Sequence, residues 1–257
     1  MRSRVATWIA AAPPYRAEAR DLATVRVLGL ELPVRATVAT VAIALLMLLD
    51  FHGRIDDVVR LSLGWLGTPA GDGIADWKRI QSIGRLVVEG AAPLLVVVLV
   101  MRDRPSRYGL RLGDWRAGIA VALAGVLVMT PVVLLLVLRS PGFGAFYAPQ
   151  AASPLDVVIT TALEVVPAEF FFRGFLLFAL LRAIGPMALV IATLPFAFMH
   201  LGKPELETLS TLVGGFLYGW LDWRSGSVLW SGLAHTYILA LAVIASGAAA
   251  AGGLLPA

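Results

Sequence analysis

The chain has 257 residues, of which 59% are hydrophobic and 15% charged, and its mean hydropathy is +0.83. A water-soluble domain is nearer half apolar and lacks long uncharged runs, so composition excludes that class and indicates one polytopic membrane domain. The net charge of +4 and pI near 9.8 do not imply nucleic acid, because the basic residues cluster between apolar runs, where the positive-inside rule accounts for them.

There is no cysteine, which excludes disulfides and thiolate metal sites. There is no asparagine either.

Residues 1–32 read as an N-terminal cytoplasmic arm. Arg2 and Arg4 precede an apolar run, Val5 to Ala12, ended by Pro13 and Pro14; the run is short for a signal peptide, and a span follows soon after. Residues 33–150 hold the N-terminal transmembrane helices. Val34 to Phe51 is the first expected span, and residues 52–82 are mixed, with Asp56, Asp57 and a turn from Gly67 to Gly73. His52 reads as an interfacial surface histidine. Ile83 to Met101 is the second span, and its Arg85 and Glu89, four apart, read as a mutually neutralised interfacial contact. Residues 102–116 carry five arginines and read as a cytoplasmic loop with Trp115 as an interfacial anchor. Ala117 to Leu138 is the third span, with Pro131 as a kink. Residues 139–153 hold one basic residue and are expected to face outward.

Residues 151–247 form the core that carries the motifs. Pro154 to Leu181 is the fourth span, Met187 to His200 the fifth, Leu206 to Leu221 the sixth, and Val228 to about Leu241 the seventh. Residues 248–257 read as an Ala/Gly-rich tail. The expected fold is therefore an all-α polytopic transmembrane bundle of about seven spans, with the N terminus and the 102–116 loop inside and the C terminus outside. Gly215 and Gly219 form a small-xxx-small pair suited to close helix packing.

The stretch Glu164 to Leu177 is apolar enough to span, yet it holds two carboxylates and a guanidinium. Ionisable groups at membrane depth face a bundle interior or wet cavity and mark function. Glu169 and Arg173 are one turn apart and can pair, and such a pair can also simply hold helices together. His200 and His235 follow in apolar surroundings. Neutral imidazoles are common zinc ligands, hydrolytic zinc sites hold three protein ligands and a water, and a nearby carboxylate takes that water's proton. Glu164, Glu169, Glu205 and Glu207 are the candidate third ligand or base. Spacing alone equally allows structural or proton-relay histidines. Asp222 with Arg224 reads as an interfacial turn, and Phe170 to Phe172 as packing against helices and lipid.

Three segments, A-E-F-F-F-R-G-F-L-L from Ala168, F-A-F-M-H from Phe196 to His200, and S-G-L-A-H-T-Y-I-L around His235, resemble the motifs of the CPBP family. That family comprises the type II prenyl (CAAX) endopeptidases and the bacterial Abi-type membrane proteins. Its pattern is E-E-x-x-x-R, F-x-x-x-H and H-x-x-x-N on successive transmembrane helices. The likeness covers roughly residues 150–245 and implies an α-helical intramembrane metalloprotease in which paired glutamates and two histidines build the site. Glu169 matches the second glutamate, Arg173 the arginine, Phe196 the aromatic, and His200 and His235 the histidines. The first glutamate is Ala168 here, and the asparagine is Leu239.

The leading expectation is a metal-dependent endopeptidase that cleaves membrane-associated protein or peptide substrates. His200, His235 and Glu169 would hold Zn2+ or its water, Glu169 or Glu164 would supply the working carboxylate, and Arg173 would hold Glu169. Glu164 lies one helical turn before Ala168, on the same face. The alternative, motivated by Ala168 and Leu239, is a non-catalytic relative that binds a membrane partner; a small transporter would show inverted repeats, which the sequence lacks. The expected partners are the lipid bilayer and a membrane-associated substrate, with no nucleic acid, in a bacterial plasma membrane. If Glu169, His200 and His235 converge within about 8 Å around one cavity, as a metal-centred site requires, the enzyme reading survives.

Overall fold

The computed structural model describes residues 17–67, 71 and 73–255. The features at Arg2, Arg4 and Val5 to Pro14 lie outside the described residues. The architecture is an all-α membrane bundle preceded by one antiparallel hairpin. Strands β1 (Thr24–Val27) and β2 (Leu30–Pro33) pair Val25 with Leu32 and Val27 with Leu30. The arm reading of residues 1–32 therefore missed a hairpin, although V-R-V and L-E-L alternate as strands do. Its tip is Leu28 and Gly29, both at positive φ, as a two-residue hairpin turn requires.

Nine helices follow among the described residues. They are α1 (Val34–Phe51), α2 (Arg54–Trp65), α3 (74–100), α4 (Trp115–Arg139), α5 (Pro141–Tyr147), α6 (154–184), α7 (Met187–Phe198), α8 (Glu205–Ser225) and α9 (Leu229–Ala251). Among the described residues, four stretches are long and apolar enough to cross a bilayer: α1, Asp76–Val100 within α3, α4 and α9. α7 is apolar but shorter. Large aliphatic side chains on α4, including Leu127 and Val128, point away from the protein, as a lipid-facing surface does. α9 runs ten residues past the expected end of the seventh span, because Ala249 packs into a cluster with Phe143, Tyr147 and Val243.

Apolar burial gains little against lipid, so such bundles are held by close packing and polar contacts. The central cluster is built on Phe171, Phe172 and Phe175, all almost completely buried, packed with Leu177, Leu189 and Ala192. The aromatic run is thus enclosed by protein and does not reach lipid. Gly215 and Gly219 do serve close packing: a Cβ on Gly215 would meet Thr193 Cγ2 of α7 at 2.8 Å.

One end of the bundle is tied by charge. Arg35, at the start of α1, binds the Asp103 carboxylate, and Arg107 donates to Asp103 and to Asp21, both at 2.7 Å. Arg182, near the end of α6, donates to the Arg107 carbonyl and lies over the Tyr108 ring.

Candidate active site

α6 carries the motif stretch and is not regular. Pro167 removes one backbone donor inside the helix, and residues 170–176 widen into a π-helical turn directly after Glu169. Such bulges redirect side chains and recur at functional sites. Here Gly90 of α3 lies against Pro167, where a Cβ would stand 3.4 Å from the proline Cβ.

Glu169 is completely buried. Its Oε1 lies 2.6 Å from Nδ1 of His235 and 2.8 Å from Nη1 of Arg173. The Arg173 guanidinium lies 3.8 Å from the Phe196 ring centroid and 5.6 Å from that of Tyr218, so two aromatic faces accompany the carboxylate in neutralising a charge that lipid would not tolerate. A carboxylate on Nδ1 fixes the imidazole's orientation and leaves Nε2 for other work. His200 is held comparably: its Nδ1 lies 2.9 Å from the Phe196 carbonyl, one turn earlier. Gly202, at φ +90°, then turns the chain away.

Both histidines line one cavity of about 50 Å³, whose wall also includes Glu164, Arg85, Lys203, Ala168 and Leu239. That volume accommodates a few water molecules. Glu169 is not among the lining residues; it stands behind His235. The carboxylate on the wall is Glu164, one turn before Ala168. Its Oε2 accepts from Lys78 at 2.8 Å, and its Oε1 lies 3.9 Å from Arg85. The two positions that depart from the motif pattern, Ala168 and Leu239, are both apolar patches of the same wall.

The fit to zinc is partial. His200 and His235 each present an Nε2 with the other ring nitrogen engaged, which suits metal ligation. Glu169 is taken up by His235 and Arg173, and Glu164 by Lys78. Among the described residues no three His, Cys, Asp or Glu side chains are grouped to hold an ion, so the donor set stops short of the three protein ligands of a hydrolytic zinc site.

The remaining polar residues sort clearly. His52 is exposed and packs edge-on to Phe51. Glu207 binds Lys203 at 3.1 Å and accepts from Tyr147 at 2.6 Å, while Glu205 is exposed. The expected Arg85–Glu89 pair forms at 2.5 Å, but Glu89 is 1% exposed and Arg85 also reaches Asp50. It is therefore a buried pair beside the cavity, which Arg85 lines, and not an interfacial contact. Asp222 is not a surface turn: it is fully buried and accepts from Ser231, one turn before His235, at 2.9 Å. Nothing local in the sequence marks that burial, because the partner comes from the next helix.

Residues 149–241 match the family model described as type II CAAX prenyl endopeptidase Rce1-like. The match spans the three motif segments and every cavity-lining residue except Arg85. Comparison with curated proteins and with solved structures finds no match.

Proposed function

With residues 149–241 matched to the Rce1-like CAAX endopeptidases, we propose that this membrane protein is an intramembrane endopeptidase that hydrolyses a peptide bond in a membrane-associated protein or peptide. The observation that carries the reading is the single cavity that Glu164, His200 and His235 all line. His200, with Nδ1 engaged by the Phe196 carbonyl, offers Nε2 as the acceptor for a proton from water. Glu164 lies where a carboxylate displaced by one turn replaces the one missing at position 168, and it orients that water. The resulting hydroxide attacks the scissile carbonyl carbon. His200 then returns that proton from Nε2 to the leaving amine as the C–N bond breaks, while His235, held at Nδ1 by Glu169, accepts a hydrogen bond at Nε2 from the attacking water. Arg173 positions Glu169. The reading assigns zinc no step, because the donor set lacks its third ligand.

The apolar wall at Ala168 and Leu239 favours a second reading, in which the cavity binds a partner side chain without cutting it. Mass-spectrometric mapping of peptides incubated with the full chain in proteoliposomes separates the two. Cleavage that a His200→Ala/His235→Ala variant loses supports the peptidase; binding without cleavage supports the second reading.

A further inference from the structure

Three helices run between two separate polar clusters and so fix which end of the bundle holds the cavity. On α1, Arg35 joins Asp103 at one end and Asp50 joins Arg85 at the other; at 1.5 Å per residue the two positions are about 22 Å apart. α6 carries Glu164 in the cavity wall and Arg182 in the Asp103 cluster, about 27 Å further along by the same rise. α3 runs from Arg85 to Val100, about 22 Å, and the chain then enters the 102–116 loop. The cavity therefore lies toward the end of the bundle opposite that loop.

The two ends differ in basic charge. At the loop end, residues 102–116 alone hold five arginines, with Arg20 and Arg26 before α1, Arg35 at its start, Arg182 near the end of α6 and Arg224 near the end of α8. At the cavity end the segment between α1 and α3 holds Arg54 and Arg60, the first turns of α3 hold Lys78, Arg79 and Arg85, the connection 139–153 holds Arg139 and the connection 201–204 holds Lys203, seven basic residues against ten at the loop end. Cytoplasmic loops carry the excess of lysine and arginine. We propose that the arginine-rich end faces the cytoplasm and that the cavity opens toward the opposite, extracytoplasmic side. The substrate class follows: a peptide segment at or just beyond the outer membrane interface. A prenylated C terminus on the cytoplasmic face would be on the wrong side. The substrate part rests on the peptidase reading, whereas the sidedness does not.

The absence of native cysteine makes the test direct. Leu201→Cys, in the exposed turn after His200, and Leu112→Cys, exposed in the arginine-rich loop, are introduced singly into the full chain. They are treated with a membrane-impermeant maleimide in bacterial spheroplasts. The expected result is labelling of Leu201→Cys in sealed cells and of Leu112→Cys only after permeabilisation. The reverse pattern, or Leu201→Cys silent until permeabilisation, would overturn the proposal. A membrane-anchored reporter with its cleavable segment outside is then expected to be cut, and one with that segment inside to survive. Expected labelling with neither reporter cut would remove the peptidase reading and its substrate, and leave the sidedness standing.

Discussion

The Glu169 carboxylate lies 2.6 Å from Nδ1 of His235, while the cavity is lined by the histidine and not by the carboxylate. Glu169 therefore acts through His235. A Glu169→Gln variant keeps the shape and can still hydrogen-bond the ring, but removes the charge. Cleavage is expected to fall about 10- to 100-fold, the usual cost of losing an orienting partner. Nitrogen NMR of the labelled His235 ring should show the Nδ1–H form losing population. An unchanged ring spectrum would place the effect in folding, because the loss of the charge also leaves Arg173 buried without its carboxylate.

Two imidazoles without a third ligand hold zinc loosely. Dialysed protein is expected to retain well under one zinc per chain by elemental analysis. Near-stoichiometric zinc that disappears in a folded His200→Ala/His235→Ala variant would contradict the donor geometry and restore a metal to the chemistry.

Asp103, in the loop after α3, sets an acid limit on stability. Burial pushes its carboxyl up, but the Arg104 backbone N–H and the charges of Arg107, Arg35 and Arg182 outweigh burial and hold it below the usual carboxylate range. A carboxyl lowered by folding contributes stability above its unfolded value, about 3.9, and that contribution is lost as pH falls through the folded value. Thermal unfolding followed from pH 6 down to 3 should show a falling Tm that Asp103→Asn flattens. A variant with the parent's acid slope would show that the stability lies elsewhere.

Gly174 and Gly219 are both packed glycines with different room. A Cβ on Gly174 would meet the Tyr108 carbonyl oxygen at 2.7 Å, a backbone atom, whereas on Gly219 it would meet leucine methyls at 3.3 and 3.4 Å. Gly174→Ala is therefore expected to cost about 1–3 kcal/mol by overpacking and Gly219→Ala less. Circular-dichroism melts in detergent decide it, and equal losses would be the contrary result.

Local pattern revealed apolar helices but not the polar contacts between them, and among the described residues four of the seven expected spans, the first, second, third and seventh, coincide with helices long and apolar enough to cross a bilayer. The apolar run from Val34 to Phe51 coincides with α1, because unbroken aliphatic sequence has one solution in a bilayer. The end of α9 was hidden because alanine and glycine read as a tail, yet their small size permits the close approach that buries Ala249. His200 and His235 were identifiable as isolated imidazoles in apolar segments. Arg85 was not identifiable as a cavity residue, nor Lys78 as a partner of Glu164 on the cavity wall, since Glu164 lies far along the chain and only the packing of α3 on α6 brings them together. Asp222 looked like a turn for the same reason.

The most direct measurement is hydrolysis of a fluorogenic transmembrane peptide in proteoliposomes by the parent chain, Glu164→Gln and His200→Ala, each with its melting temperature. The parent is expected to cleave, and each variant to lose about 100-fold or more, the scale of a lost acid–base group, with folding intact. A parent that does not cleave, or a Glu164→Gln variant that cleaves at the parent's rate, would contradict the assignment of this cavity as a peptidase site with Glu164 as its carboxylate.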